Sequence, residues 1–551
     1  MNDVLEVPVV IAGAGPVGAT LALDLAVNGV ESLLLEERHD FPPNPKCNTT
    51  NARSMEHYRR LGCADEIRRS GLPLAHATDV VYVTRWTGHE LTRYRLRSSA
   101  EVINGIAIGA IDEYWPTPEP QHRVSQLYME PVLRERLHGL SACDLRTGWR
   151  FAGFSQDAEG VTCQVTELAS GREQTVRARY LVSCEGGHSQ IRRAIGARLE
   201  GRECISQFCT TYFRSPQLRK LWPHAPAWMH RIYNREGESH VLAIDGESLW
   251  LHHSTLPPDA DLAGHDHVPA IRAAIGCDFD YEILGQERWI ARAMVVDRYR
   301  DRRVFLAGDA AHIWIPMGGF GMNAGVEDAV NLAWKLRATL EGWGGPQLLD
   351  SYEAERRAIG QLVAGSAAQI FADLYQIPVD APGFEASDDA ARALRAGIGQ
   401  HITARNQSEF DSIGMQLGTS YDSSPVVCYD GAAGPAFALD QYQESSRPGV
   451  RAPHLWRADG RALYDVLGNG YSLLRLGTDA PAASALVAAF AGRGVPLTVC
   501  EVPEPEATGK YEGWPLVLVR PDQHIAWRGR QDPLDAAAVA ARLSGHEEVG
   551  R

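Results

Sequence analysis

Residues 7–36 constrain the fold more than any other stretch of the chain. A β-rich apolar run at 7–12 leads straight into Gly13-Ala14-Gly15-Pro16-Val17-Gly18. A helical pattern through Leu21, Leu25 and Ala26 follows and stops at Gly29. A second apolar run at 32–35 then ends in Glu36. Strand, glycine turn, helix, strand and terminal acid are the dinucleotide fingerprint in its full context. Gly13 permits the tight turn, Gly15 lets the backbone approach a pyrophosphate, and Gly18 lets helix and strand pack closely. The helix N-terminus takes the phosphate charge. Glu36 can bind both ribose hydroxyls; Glu37, one residue past the run, is the less favoured alternative.

A second constellation lies nearly three hundred residues away, at 304–325, VFLAGDAAHIWIPMGGFGMNAG. An apolar run at 304–307 reads as a buried strand ending in Gly308 and Asp309. A turn rich in Pro316, Gly318, Gly319 and Gly321 precedes a helical pattern with Ala329, Leu332, Ala333, Leu336 and Leu340 on one apolar face. Asp309 can accept hydrogen bonds from a sugar-like chain. The free N–H groups near Met322 and Asn323 offer donors and partial positive charge to an electron-rich ring. The two constellations together suit one long ligand with a pyrophosphate, a sugar-like chain and a ring. A nicotinamide dinucleotide would not need the second clasp, whereas FAD would.

Between them, Lys46 and Arg53 are candidate phosphate contacts, and 126–137 reads as a helix. A strand at 176–184 ends in Glu185-Gly186-Gly187-His188, a second strand–acid–glycine junction. Residues 204–256 alternate as an antiparallel sheet rich in Trp, His and Tyr. Trp228, His230 and His253 are candidates there for lining a pocket. The stretch 374–449 is loop-rich and marks a boundary. Beyond it, strand, helix, strand, hairpin and helix suggest a small α/β domain without a redox cysteine pair, read as structural.

Composition excludes more than it identifies. A net charge of -15 argues against nucleic acid or anionic membrane as the main partner. Ten cysteines form no Cys-x-x-Cys and no zinc spacing, so no metal is expected and reduced thiols in a cytoplasmic protein are. The first residues lack a basic leader pattern, and 7–23, though uncharged, is broken by glycines and prolines and is not a membrane span.

The order GAGPVG, Glu36, Lys46…Arg53, Glu185-Gly186 and GDAAH…PMGGFGMN resembles the single-component FAD-dependent aromatic hydroxylases, the para-hydroxybenzoate and phenol hydroxylase family. The similarity covers about residues 7 to 365. The C-terminal part, with RPDQHIAWRG, is similar to the thioredoxin-like extension of the phenol-hydroxylase branch. The resemblance implies an α/β, glutathione-reductase-like FAD domain at 1–75, 125–200 and 285–375. An antiparallel substrate domain at 76–124 and 201–284, a linker at 376–445 and a thioredoxin-like domain at 446–551 complete the expected division. It implies that Gly13, Gly15, Gly18 and Glu36 hold the adenosine diphosphate of FAD. Lys46, Gln126, Asp309, Gly321, Met322 and Asn323 would hold the ribityl chain and ring, Glu185 would serve flavin and nicotinamide, and Pro316 would lie beside the reactive carbon.

The aromatic middle sheet would roof the substrate, with Pro316 and Phe320 at its floor. The implied reaction is hydroxylation of a phenolic or polyketide-type aromatic by NADPH or NADH and O2, through a flavin C4a-hydroperoxide. Three positions depart from the family pattern: Lys46 and His188 stand where arginines are usual, and Glu185 where aspartate is. Asn48 replaces a catalytic histidine found in some phenol hydroxylases. The alternatives are epoxidation or Baeyer–Villiger oxidation of a natural-product scaffold, and a flavin-free binding module. The oligomeric state, a homodimer included, stays open.

Overall fold

The computed structural model describes residues 4–41, 44–264, 266–374, 377 and 383–546. The parts of the expected domains, proline-rich loop and linker at 1–3, 42–43, 265, 375–376, 378–382 and 547–551 lie outside the described residues.

The apolar run after the N-terminus forms the strand Leu5–Ala12 in the middle of the first sheet. The sheet order is Arg300–Asp301, Val304–Leu306, Glu173–Ser183, Leu5–Ala12, Ser32–Glu36, Cys143–Thr147. From Val304–Leu306 to Cys143–Thr147 every pairing is parallel. Val9, Val10 and Ile11 are fully buried, as a β-branched strand covered on both faces requires. Helices Pro16–Val27 and Phe320–Leu340 pack together over this sheet. Because its central strands run the same way, their carboxyl ends share one edge. Gly13, Glu36, Glu185 and Asp309 therefore meet there, although the sequence separates them widely.

The second sheet runs His312–Trp314, Glu282–Val296, Leu199–Arg214, Leu249–Leu256, Gly237–Ala243, Met229–Asn234, Val80–Val83, Glu90–Tyr94. Its pairings are antiparallel except between Met229–Asn234 and Val80–Val83. The expected boundary at 285 is corrected here. Glu282–Val296 pairs with Leu199–Arg214 along its whole length, and His312–Trp314 joins behind it. A strand's apolar pattern reads the same whichever sheet receives it, so only the pairing partner decides.

The loop-rich linker expected at 376–445 also needs correction, because it contains the helix Asp389–Asn406, capped by Asp388. Ile398 and Ile402 pack into the core of the second sheet, and Tyr94 Oη donates to the Ile402 carbonyl at 2.9 Å. Gly399 weakens the helical pattern in the sequence. A Cβ at that position would stand 2.1 Å from the Leu91 carbonyl oxygen, so the helix backbone lies directly on a strand.

The third sheet, Leu497–Val502, Tyr471–Leu476, Leu516–Val519, Ile525–Gly529, carries the helices Ser484–Gly492 and Ala536–Leu543. Buried charge fastens it to the first unit. Arg520 donates to both oxygens of Glu355 at 2.7 and 2.9 Å, and Lys335 Nζ reaches the same carboxylate at 2.6 Å. All three side chains are fully buried. Among the described residues no helix is long and apolar enough to cross a membrane.

Candidate active site

A cavity of about 1270 Å³ runs from the glycine turn, across the shared strand edge, to one face of the second sheet. Gly13, Gly15, Glu36, Glu37, Lys46, Gln126, Glu185, Asp309, Pro316, Gly321 and Met322 all line it, as do Trp228 and His253.

At one end, the turn is built by backbone geometry. Gly13 has φ +101°, a conformation that strains any side chain, and its N–H donates to the Leu35 carbonyl at 2.8 Å. A Cβ there would sit 2.3 Å from the Cys184 carbonyl oxygen. Gly18 lies outside the cavity lining, beneath the turn, where a Cβ would stand 1.9 Å from the Gly13 carbonyl oxygen. Around Gly15 the space is open: a Cβ would meet no atom within 4 Å. Gly15 is also the N-cap of Pro16–Val27, and no side chain caps that helix. Glu36 accepts from the Ala14 N–H and the Arg38 N–H, both at 3.0 Å, which turns it toward the glycines. Glu37 instead pairs with Arg150 at 2.6 Å on the exposed side.

In the middle of the trough, Asp309 is exposed to the cavity and takes no hydrogen bond among the described residues. The surrounding protein mass pushes its carboxyl above the usual range, against the pull of His312 and Lys46. Lys46 Nζ stands 3.7 Å from Glu287 at a half-exposed position. The Gln126 N–H donates to the Lys46 and Cys47 carbonyls at 3.1 and 3.0 Å, while its side chain donates to Glu130. Glu185 spends one carboxylate oxygen on Ser183, Ser189 and the Ile191 N–H. Beyond Pro316, Gly318 and Gly319 adopt φ of 71° and 69° and start Phe320–Leu340 without a side-chain cap. The uncapped end presents Gly321 and Met322 to the cavity, so its partial positive charge faces whatever lies there.

Four expectations are corrected. Arg53 does not reach the cavity. It is buried, donating to Glu56 at 2.7 Å, Gln523 at 2.6 Å and the Asp522 carbonyl at 2.5 Å, because its helix face turns to the C-terminal unit. Asn323 does not line the cavity, where Gly321 and Met322 do; its side chain is fully buried and ties the turn to a neighbouring loop through Thr49, Gly319 and the Asn51 N–H. His230 is buried between Trp86 and Trp222, on the opposite face of its strand from the cavity-lining Met229 and Arg231. Phe320 packs beneath Gly318 in the core rather than forming a floor.

The far wall follows strand alternation. Phe208 and Thr210, Leu251 and His253, His240 and Leu242, Met229 and Arg231 face the cavity in pairs two residues apart. Arg231, Glu409, His240 and Glu238 form a buried polar cluster at one end. Arg123 lies over the Trp228 ring at 4.7 Å and donates to Thr49 Oγ1 at 2.6 Å; burial draws its guanidinium down to about 10. Thr210, Trp289, Arg123 and Arg231 were not singled out in the sequence. Period-two alternation marks them only once the strand register is known, and Arg123 had a hint in its place three residues before Gln126.

The donors, acceptors and open backbone fit FAD. Gly15 leaves room at a helix N-terminus for a pyrophosphate, Glu36 is aimed for a ribose, and the unpartnered Asp309 carboxylate sits where a polyol chain would cross.

Comparison with known proteins agrees. Residues 6–367 match the family described as FAD binding domain, and residues 445–546 match that described as aromatic-ring hydroxylase, C-terminal. The chain is 32% identical to 4-methyl-5-nitrocatechol 5-monooxygenase of a Burkholderia species, over 98% of this chain and 97% of that protein. Among solved structures it is similar to chromopyrrolic acid-soaked RebC with bound 7-carboxy-K252c, at 34% identity and a TM-score of 0.90, covering 99% of this chain and 100% of that one. It is also similar to aklavinone-11 hydroxylase in a ternary complex with FAD and aklavinone, at 27% identity and a TM-score of 0.80, covering 98% and 99%.

Proposed function

The chain belongs to the FAD-binding aromatic-ring hydroxylase family, and from that premise we propose that it hydroxylates a phenolic or polyketide-type aromatic, using FAD, a reduced nicotinamide and O2. One observation carries the reading. A single cavity joins the strand-end cradle at Gly15, Glu36 and Asp309 to the aromatic wall at Trp228, His253 and Trp289. When bound, FAD supplies the hydride acceptance and oxygen activation.

The chain's own residues bind, orient and exclude water. The N-terminus of Pro16–Val27 and Gly15 take the pyrophosphate, Glu36 the ribose, and Asp309 with Gln126 the ribityl chain. The uncapped start of Phe320–Leu340 faces the ring, where its partial positive charge favours the electron-rich reduced state. Pro316 lines the same cavity, at the turn that leads into that helix. Phe208, stacked on Trp289 at 4.4 Å, and Leu251 give part of the wall an apolar surface, which suits a flat aromatic ring. Ten free thiols support a reducing, cytoplasmic setting.

The test is direct. Purified protein should be yellow, and a panel of phenols should accelerate NAD(P)H oxidation and yield a product one oxygen atom heavier, with little peroxide released. A colourless protein, or phenols that raise only peroxide release, would overturn the reading.

A further inference from the structure

Three side chains on adjacent strands, Trp289, Thr210 and His253, form a continuous hydrogen-bonded chain. We propose that it holds His253 as the Nε2–H tautomer and presents that N–H to the substrate, so that the pocket selects an aromatic oxygen in its acceptor form, a phenolate. This rests on the aromatic-substrate reading of the cavity given above.

The direction follows from donor and acceptor inventory. Trp289 lies on Glu282–Val296, Thr210 on Leu199–Arg214 and His253 on Leu249–Leu256, with Thr210 directly opposite His253 in register. Phe208 stacks on the Trp289 indole with the planes 8° apart, which holds the ring in place. Trp289 Nε1 lies 2.9 Å from Thr210 Oγ1, and an indole N–H can only donate. Thr210 has one proton of its own, and its other partner among the described residues is His253 Nδ1, at 2.7 Å. Were the proton on Nδ1, both neighbours would donate into the same oxygen. The Thr210 hydroxyl, 5% exposed, would then keep a buried proton without an acceptor among the described residues. The chain therefore runs Trp289 N–H to Thr210 O–H to His253 Nδ1, leaving the ring's proton on Nε2. All three residues line the cavity.

The surroundings keep this donor neutral. His240 stands opposite His253 on the next strand, and Arg231 opposite His240. Glu238 bonds His240, Glu409 pairs with Arg231, and Glu287 lies opposite Thr210 on the other side. Burial first, then His240 and Arg231, draws the His253 imidazole down to about 3. A neutral N–H donor gains most from the strongest acceptor, and an ionised phenol oxygen accepts more strongly than a neutral one. A ring so ionised is also the more electron-rich partner for oxygen transfer. His253 would touch the substrate, whereas Thr210 and Trp289 act through it as positioning residues.

The experiment uses the FAD-loaded full chain in two readouts. The first is a long-range ¹H–¹⁵N spectrum of histidine-labelled protein, with His253 assigned by the signals lost in H253N. The neutral Nε2–H pattern should persist from about pH 6 to about pH 8. T210V should mix the tautomers and T210S should keep the wild-type pattern. An Nδ1–H tautomer or an imidazolium in wild type would overturn the proposal.

The second readout titrates 4-nitrocatechol, whose absorbance separates phenol from phenolate. Its pKa should fall by about one unit on binding, phenolate binding roughly tenfold tighter than the neutral form. T210S should keep that shift, and H253N and T210V should lose most of it. An unshifted or raised pKa, a shift retained in H253N, or no binding at any pH would overturn it. A wild-type protein that is colourless yet shows the Nε2–H pattern would sink the aromatic-monooxygenase reading and leave the His253 assignment standing.

Discussion

Gly15→Ala and Gly18→Ala separate folding from cofactor binding within one four-residue span. At Gly15 the backbone has φ -66° and ψ -178°, which any residue adopts, and a Cβ meets nothing within 4 Å. Folding should therefore tolerate the alanine, and the reduced freedom of the unfolded chain should stabilise the apoprotein by about 0.5 kcal/mol. The added methyl occupies the space through which a pyrophosphate reaches the helix N-terminus. Losing one or two charge-assisted hydrogen bonds there costs about 3 kcal/mol, a rise of roughly 150-fold in the FAD Kd. At Gly18 the Cβ would stand 1.9 Å from the Gly13 carbonyl oxygen and 3.2 Å from the Cys184 Cβ, so helix and strand must move apart. That variant should lose both FAD and several degrees of apoprotein Tm. The assays are flavin fluorescence quenching on titration of apoprotein and a thermal melt of the same sample. A G15A protein that binds FAD within threefold of wild type, or a G18A protein that melts like wild type, would refute the argument.

Asp309→Asn should weaken FAD by about tenfold to a hundredfold through loss of a charged acceptor. Its pH dependence has a definite sign. The wild-type carboxyl is raised by burial, so FAD affinity should fall as pH drops through that raised value, and the Asn variant should be flat in the same titration. Glu355→Gln removes one anion from a cluster in which Lys335 and Arg520 face Glu355 and Asp522, and should cost about 3 kcal/mol by denaturant unfolding. Burial already draws Lys335 down to about 8, below its unfolded value, so its folded form binds its proton less tightly. Loss of Glu355 lowers that value further, so the E355Q deficit should shrink as pH rises from neutral through about 8 and then level off. Adding K335M should recover more than half of it. Arg53→Met should destabilise the docked C-terminal unit by about 2–4 kcal/mol while leaving the FAD Kd within about twofold, measured by unfolding and by flavin titration.

Local signals carried far into this protein. The glycine turn at 13–18 reads correctly because each glycine answers a local demand: a positive φ at Gly13 and a contact too close for Cβ at Gly18. Asp309 reads as a strand-end acid for the same reason, since a short apolar run stops at Gly308. Arg53 and Phe320 misled because residue type and spacing do not say which way a helix face turns. One meets the C-terminal unit and the other its own core. His230 and His253 are indistinguishable in the sequence, and strand register places one between tryptophans and the other on the cavity. The helix Asp389–Asn406 hid behind Gly399, which breaks helical propensity yet is required where the helix backbone meets a strand.

The amino-acid sequence by itself determined the parallel dinucleotide fold, the two clasps for a long flavin nucleotide and the presence of a separate C-terminal unit. Those features depend on backbone conformation and short-range periodicity, which neighbouring residues dictate. Only the tertiary structure decided that Glu282–Val296 and His312–Trp314 join the second sheet and that Arg53 fastens two units. It also decided that Trp289, Thr210 and His253 align across three strands. Those outcomes depend on which strands pair and in what register, and a shift of one residue would turn every one of these side chains to the other face.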